Sequence, residues 1–150
     1  KSNVLLNDED IKFILKPHPA LNYQSLLSSL DLELPNNFIF TEESSFPNLI
    51  LRSSLLITEA SSVCLESLAL GKPVIVVQSN VGLTYDPIPD DIPQEIFRRS
   101  NDHESLSRAI THFVNLNHDQ RKTLSNLGEV IRLKYFEPIT ASGIDLFLNH

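Results

Sequence analysis

The run LLITEASSVCLESLALGKPVIVV, residues 55–77, constrains the fold of this chain more than any other segment. It begins and ends with short apolar runs of strand composition, and the apolar spacing between them predicts a helix. Gly71 and Pro73 end that helix, because glycine readily adopts a left-handed turn and proline cannot continue a helix. A strand, a helix and a second strand in this order predict two parallel strands joined by a helical crossover.

Strand-like and helix-like segments alternate through the rest of the chain at a spacing of about 20 residues. Strands are predicted at residues 11–15, 38–40, 55–58, 74–77 and 96–98, and helices at residues 21–30, 46–53, 63–70, 102–116, 119–135 and 139–148. The β-branched run 74–77 is typical of a central parallel strand, and 96–98 of an edge strand. We therefore predict an α/β fold, a Rossmann-like parallel sheet flanked by helices, with the chain forming a single domain.

Polar residues precede the predicted helices where capping side chains are expected: Ser61 or Ser62, Asp102, and Asp119. Lys72 follows the helix at 63–70, and its positive charge there would favour the negative end of that helix. Residues 80–94 contain three prolines and no periodic pattern. We expect them to form a loop that is functional or mobile, with a part in selecting a ligand.

Composition bounds the class of protein. The chain has 150 residues, of which 41% are hydrophobic and 21% charged, which is typical of a soluble globular domain. Twelve Lys and Arg against nineteen Asp and Glu give a net charge of −7, which argues against nucleic-acid binding. A single cysteine fits a reducing compartment, so we expect a cytoplasmic protein. No apolar run approaches the roughly 20 residues that cross a bilayer, so no transmembrane segment is expected.

The polar turn after the strand at 55–58 is the first candidate ligand site. Its strand ends at the carboxyl edge of the predicted sheet, where α/β proteins bind phosphates and nucleotides. Ser61 and Ser62 either cap the next helix or bind a phosphate beside its free backbone N–H groups. Glu66 lies one turn after Ser62 on the same face, where it either accepts hydrogen bonds from a ribose diol or stays solvated. Glu59 either has a similar role or only favours the helix N-terminus through its charge.

A second polar cluster, Lys16-Pro17-His18-Pro19, ends the strand at 11–15 and could face the same crevice. The two prolines restrict the backbone around His18, and a restrained imidazole can donate to a phosphate oxygen or protonate a leaving group. Lys16 adds a positive charge suited to phosphate. The alternative is that these residues form only a polar strand end.

The residues needed for several other chemistries are missing from the sequence. With only four glycines, the chain has neither GxGxxG nor GxxxxGK[ST] for phosphate binding, and no GxSxG nucleophile elbow. The five histidines show no metal-ligand spacing with the lone cysteine, so no metal site is predicted. Cys64 lies within an apolar helix pattern, where we expect a buried core residue and not a nucleophile.

These segments resemble the donor-site region of the C-terminal domain of GT-B fold glycosyltransferases. LLITEASSVCLESLALGKPVIVV is similar to their strand, Ser/Thr-rich or Gly-rich turn, and helix of the form LEALALGKPVI. KPHP resembles the HP motif of bacterial surface-polysaccharide enzymes, which include sialyltransferases, capsule Kdo transferases and glycerophosphotransferases of teichoic acid synthesis. The tail KYFEPITASGIDLFL is similar to the YFGPxDGxAS endings of surface-carbohydrate proteins.

The resemblance implies a role for each candidate residue. His18, the catalytic candidate, would contact the donor phosphate with Lys16 and offset the charge that grows on the leaving group. Ser61 and Ser62 would bind the donor phosphate at the helix start. Glu66 would hold the hydroxyls of the donor ribose or sugar.

The glutamates depart from the retaining-transferase pattern, which has two glutamates with seven residues between them. Glu59, which would share the role of Glu66, is separated from it by six residues. Serine also replaces the glycine that is common at the helix start. These departures leave open both the donor and the stereochemical outcome.

The resemblance also implies the donor and the partner domain. The donor would be a nucleotide-sugar or another nucleotide-activated substrate, with no cofactor. GT-B enzymes carry the acceptor site on an N-terminal domain, and nothing in this sequence resembles it. We therefore expect a fragment of a two-domain surface-polysaccharide transferase, inactive without that domain, whose full-length form could contact a membrane peripherally. The alternatives are part of an epimerase of the UDP-N-acetylglucosamine type and a non-catalytic nucleotide-binding module.

Overall fold

The computed structural model describes residues 10–18, 22–29, 31, 33–59, 61–79, 81, 85–136 and 138. The chain forms two compact units, Lys1–Phe46 and Pro47–His150. All the described strands pair in parallel and helices flank them, which confirms the predicted α/β class with Rossmann-like parallel strands. The helix predicted at 139–148 lies outside the described residues, as does most of the tail that contributes to the resemblance. Among the described residues, no helix has the length and apolar composition that crossing a membrane requires.

The first unit contains β1 (Phe13–Leu15), α1 (Tyr23–Ser29) and β2 (Phe38–Phe40). All three elements lie where the sequence predicts them. β1 pairs in parallel with β2, and the rings of Phe13 and Phe38 stack at the start of the pair with their centroids 4.5 Å apart. The Tyr23 ring of α1 stacks on Phe40 at 4.2 Å, which fixes the helix against the strand pair.

The elements of the second unit are α2 (Phe46–Arg52, beginning one residue before the unit), β3 (Leu56–Thr58), α3 (Val63–Ala69), β4 (Val74–Val77), β5 (Phe97–Ser100), α4 (His103–Val114) and α5 (His118–Tyr135). The strand order is β3-β4-β5. β4 is central and its first three residues are buried, as the unbroken β-branched run predicts. The register aligns Thr58, Val76 and Arg99 across the sheet.

Helices cover both faces of this sheet. One face packs with α3 and α5 in a core cluster of Cys64, Leu68, Val74, Val76, Ile88, Ile92, Ile96, Phe97, Leu124 and Ile131. Side chains alternate along a strand, so Arg98 lies on the face opposite Phe97. The Arg98 guanidinium lies over the ring of Phe113, with 5.5 Å from Cζ to the centroid, so α4 covers that second face.

Residues 85–96, the described second half of the connection from β4 to β5, are packed against the core. Ile88 and Ile92 are buried in the core cluster. Asp86 forms an ion pair with Arg99 of β5, with 2.5 Å between Oδ2 and Nε. The part of the predicted loop that the structure describes is therefore anchored at several points.

Asp91 ties the same segment to the end of α5. Its carboxylate accepts hydrogen bonds from the ammonium group of Lys134 and the hydroxyl of Tyr135. These two bonds lower the pKa of Asp91, and the bond to Asp91 raises the pKa of Lys134. Because the groups are exposed to solvent, we assign this contact a role in positioning the segment and little weight in stability.

Gly71 ends α3 as the sequence predicts. Its φ angle is +69°, in the left-handed region that favours glycine. The N–H of Gly71 donates to the carbonyl of Leu68 at 2.9 Å, and the N–H of Lys72 to that of Ser67 at 3.0 Å. This pair of bonds is a Schellman motif, which satisfies carbonyls that the helix itself leaves unpaired.

The side chain of Lys72 does not neutralise the end of α3, and that prediction was wrong. Its Nζ donates to the carbonyls of Leu51 at 3.1 Å and Ser53 at 2.9 Å, at the C-terminal end of α2. The ammonium group of Lys72 does lie at a helix C-terminus, as the helix dipole favours, but the helix is α2 and not α3. A long flexible side chain can reach a neighbouring element, and sequence spacing does not reveal which one.

The two long helices begin with capping boxes. Asp102 caps α4 as predicted: its Oδ1 accepts from Ser105 N at 2.7 Å, which lowers the pKa of Asp102. For α5 the predicted cap, Asp119, was wrong. The helix begins one residue earlier than Asp119, and Asn117 caps it through Gln120, with both reciprocal bonds at 2.9 Å. Asp119 is a first-turn residue of α5, where its charge favours the helix N-terminus.

The capping assignment at α5 can be tested by a pair of alanine variants. Asn117→Ala is expected to lower the free energy of unfolding by about 1 kcal/mol, because a first-turn N–H of α5 then loses its acceptor. Asp119→Ala is the matched control with a smaller effect, since it removes no capping bond. Urea denaturation followed by circular dichroism measures both. A larger loss for Asp119→Ala than for Asn117→Ala would contradict the assignment.

Candidate functional site

The three strands of the second unit end at one edge because they are parallel, and polar residues follow each of them. These residues are Glu59, Ser61 and Ser62 after β3, Gln78 and Ser79 after β4, and Asn101 and Asp102 after β5. Gln78 N donates to Ser100 O at 2.7 Å, which carries the pairing of β4 with β5 up to this edge. This is the carboxyl edge at which open parallel sheets bind ligands.

Ser62 occupies the N-cap position of α3 but does not cap it. Its φ and ψ angles are −60° and −23°, which are helical values, and its side chain makes no capping bond. A capping hydroxyl normally reaches the helix N–H groups from an extended backbone, and Ser62 lacks that conformation. Within the described part of the chain, no hydrogen bond of the Ser61 or Ser62 hydroxyl is found. Of the two alternatives for these serines, the capping one is therefore wrong in this structure.

Glu66 lies one turn after Ser62, and the helical backbone of Ser62 puts the two on a common helix face. Glu66 is half-buried, whereas Cys64 and Leu68 on the inner face of α3 are fully buried. Glu59 is exposed in the bend that follows β3. Both glutamates are thus near the carboxyl edge with carboxylates that solvent reaches.

Lys16 and His18 belong to the first unit and follow β1 at its carboxyl end. The Nζ of Lys16 donates to the carbonyl of Glu43 at 2.6 Å, so its side chain crosses to the segment that follows β2. His18 is exposed. The candidate residues after β3 belong to the other unit, and a single crevice that unites both clusters stays a prediction from the sequence.

Arg99 and Asp86 are two charged residues at the carboxyl edge that the sequence reasoning missed. Arg99 is aligned with Thr58 in the sheet register, and its guanidinium lies over the ring of Phe97 at 4.7 Å, which places it on the face covered by α3. The side chains of Arg99 and Asp86 are 32% and 34% exposed, so solvent reaches the pair. No sequence signal links two residues 13 positions apart across an irregular segment, although the Arg98-Arg99 pair does stand out in an acidic chain.

Cys64 is a core residue, as predicted. Its side chain is fully buried, and burial is the main cause that raises the pKa of the thiol to about 11, while a backbone hydrogen bond with Ser61 opposes the shift. The negative charge of Asp86 raises this pKa further, so Asp86 lies within electrostatic reach of the first turn of α3. The thiol is protonated at neutral pH and is not a nucleophile. Nor do the described residues contain three His, Cys, Asp or Glu grouped as metal ligands.

A hollow at the opposite, amino end of β3 and β4 is a weaker candidate. Its lining consists of Ser54, Leu70, Gly71, Lys72, Pro73, Arg121, Leu124 and Ser125. Both of its cations are already engaged by helix carbonyls, Lys72 at the end of α2 and Arg121 at the end of α4, through bonds of 2.9–3.1 Å. Because these cations cap helices, we place the candidate site at the carboxyl edge.

Comparison with known proteins gives one match. A family model described as CDP-Glycerol:Poly(glycerophosphate) glycerophosphotransferase matches residues 5–130. The matched span contains both polar clusters and runs from before β1 into α5. It confirms the part of the resemblance that concerns glycerophosphotransferases, while the GT-B assignment and the HP motif stay predictions. No curated protein and no solved structure matches the chain.

Proposed function

Because the chain belongs to the CDP-glycerol:poly(glycerophosphate) glycerophosphotransferase family, we propose that it binds a nucleotide-activated donor of the CDP-glycerol type for group transfer. The observation that carries this proposal is the family match over residues 5–130, which includes the polar carboxyl edges of both units. The match supports a transferase over the epimerase alternative. It also favours a nucleotide-activated glycerophosphate over a nucleotide-sugar as donor.

In the second unit, the donor would lie at the carboxyl edge of β3, β4 and β5. The Ser61 and Ser62 hydroxyls, which do not cap α3, would donate to oxygens of the donor diphosphate. Glu66, one turn further along α3, would accept hydrogen bonds from the ribose hydroxyls, with Glu59 as the second carboxylate. The half-buried position of Glu66 supports this assignment, because a carboxylate partly removed from water gains more from such bonds.

His18 and Lys16 would act on the leaving group. In such a transfer, a hydroxyl of the acceptor attacks the phosphorus that carries glycerol, and the bond from that phosphorus to the oxygen of CMP breaks. The electron pair of that bond leaves with CMP, and the acceptor proton passes to a base. A cationic Lys16 and an imidazole at His18 would offset the charge that grows on CMP. One N–H of Lys16 is used by Glu43, which leaves two for a ligand.

The complete reaction also needs a place for the acceptor. We propose that this chain supplies the donor-binding part of the transferase and that a further domain supplies the acceptor site and the base. The polymer named in the family description, poly(glycerophosphate), is the corresponding candidate acceptor. The isolated chain is then expected to bind donor without catalysing transfer.

The proposal is tested by nucleotide binding to the 150-residue chain. Isothermal titration with CDP, UDP and GDP should show saturable binding of CDP. Ser62→Ala and His18→Ala are each expected to weaken CDP binding about tenfold, the effect of losing one hydrogen bond to a charged phosphate. Ser125→Ala is the matched control, because this exposed serine lines the hollow at the opposite edge of the sheet.

Two results would contradict the proposal. If the unmodified chain does not bind CDP, the proposed donor-binding function is wrong. Loss of binding in Ser125→Ala, with Ser62→Ala unaffected, would move the site to the amino end of the sheet.

A further inference from the structure

Tyr85 is an aromatic side chain left open to solvent close to the carboxyl edge. It lies in the segment that connects β4 to β5, and its side chain is among the most exposed large hydrophobic ones described, at 74%. A ring that stays this exposed contributes little hydrophobic stabilisation to the fold. Rings of this kind are more often kept for contact with a partner, because tyrosine offers a wide surface at a low cost in side-chain entropy.

The backbone that carries this ring is held in place. In the next residue, Asp86, Oδ1 accepts a hydrogen bond from Ile88 N at 3.0 Å. Its Oδ2 forms the ion pair with Arg99. Pro87 and Ile88, which follow, are buried. The chain directly after Tyr85 is therefore fixed in the second unit, which lowers the ordering cost of a contact made by its ring.

The position of this fixed point relates Tyr85 to the site. Arg99, to which Asp86 is paired, shares a register row with Thr58, the last residue of β3 before the polar turn. The charge of Asp86 also reaches Cys64 in the first turn of α3, directly after Ser61 and Ser62. Through its ion pair with Arg99, Asp86 lies at the carboxyl edge on the face of the sheet that α3 covers, and Tyr85 is the residue directly before it.

We propose that Tyr85 is the platform on which the base of the bound nucleotide stacks. This inference rests on the proposed function, since it assigns the base end of a nucleotide whose phosphates lie at the polar turn. Stacking of a base on an aromatic ring is worth about 1–3 kcal/mol, which is about five-fold to 150-fold in affinity. Every base has a π face, so Tyr85 supplies affinity for nucleotides in general, and the choice of cytosine needs other groups.

The first test is affinity. Tyr85→Ala is expected to weaken CDP binding by about tenfold or more, while Tyr85→Phe, which keeps the ring, stays within about twofold of the unmodified chain. Val81→Ala is the matched control, since Val81 lies in the same segment and is still more exposed, at 87%. It should bind CDP unchanged. Isothermal titration of the full 150-residue chain measures all four proteins.

The second test reads the stacking itself. The sequence contains no tryptophan and three tyrosines, so intrinsic fluorescence comes from tyrosine. CDP should quench the emission of the unmodified chain, after correction for absorption by the nucleotide. In Tyr85→Phe the quenching should disappear although binding persists, whereas Tyr135→Phe should keep it. A purely structural role for Tyr85 would not produce this separation of quenching from affinity.

The failure of this inference differs from the failure of the proposed function. If the unmodified chain does not bind CDP, the proposed function falls and the stacking role falls with it. If the unmodified chain binds CDP but Tyr85→Ala binds it equally well, only the stacking role is overturned. Full quenching in Tyr85→Phe would likewise overturn the stacking role alone.

Discussion

Replacing Gly128 with alanine is expected to lower the free energy of unfolding by about 3 kcal/mol, the upper end of what overpacking usually costs. A Cβ at this position of α5 would lie 2.4 Å from Gly71 N, 2.5 Å from Gly71 Cα and 2.8 Å from Leu68 O. All three are backbone atoms at the end of α3, so no side-chain rotation relieves the clash. Helix propensity acts in the opposite direction, because alanine is about 1 kcal/mol better than glycine inside a helix. The clash is the larger effect, since α5 must move away from α3.

The measurement is urea or thermal denaturation of Gly128→Ala beside an exposed control in the same helix, Asn126→Ala. The control should change stability by less than about 0.5 kcal/mol. Gly71→Ala should also destabilise, because Gly71 has a φ of +69° and its added Cβ would lie 2.7 Å from the Cα of Ser125. If Gly128→Ala proved as stable as the unmodified chain, the close approach of α3 to α5 would be disproved.

Phe113→Ala is expected to cost about 3–5 kcal/mol, the range for truncating a buried phenylalanine. Phe113 is the largest of the fully buried side chains, and its ring lies under the Arg98 guanidinium on the face that α4 covers. Such a loss is a large fraction of the total stability of a typical domain, which is about 5–15 kcal/mol. Phe113→Leu should lose less, because it refills part of the cavity. Exposed His112 beside it is the control, and His112→Ala should have little effect.

Nucleotide binding separates this core variant from a site variant. Phe113 packs from α4 onto one face of the sheet, whereas α3, with Ser61 and Ser62 at its start, covers the other face. At a temperature where Phe113→Ala remains folded, its affinity for CDP should be unchanged although its melting temperature is lowered. If Phe113→Ala lowered the free energy of unfolding by less than about 1 kcal/mol, the packing of α4 would be contradicted. If the folded variant lost affinity for CDP, a site on the opposite face would be contradicted.

Local signals in the sequence predicted several elements correctly, each for a short-range reason. The β-branched run Val74–Val77 predicted a buried central strand, because only a strand covered on both faces uses such residues without interruption. Gly71 predicted the end of α3 through its left-handed conformation. Asp102 predicted the start of α4, since a capping carboxylate acts on an N–H three residues away.

The predicted cap of α5 was wrong because two neighbouring residues could each have capped this helix. Asn117 and Asp119 are both good capping residues, and the sequence alone does not distinguish them. Gln120, three residues after Asn117, completes a capping box, a signal that was present and could have decided the question. The sequence predicts either caps or ligand groups for the paired serines at α3, and only the helical backbone of Ser62 excludes the cap.

The order of strands and helices, their parallel class and the polar ends of the strands follow from the sequence by itself, because periodicity, capping and turn chemistry act within a few residues. Only the tertiary structure decided which distant groups meet. Lys72 binds the carbonyls at the end of α2, which lie 19 and 21 positions before it in the chain. Asp86 pairs with Arg99, which lies 13 positions after it. These pairs depend on how packed elements bring side chains together in space. The same packing fixes the backbone beside Tyr85 and leaves its ring exposed to solvent.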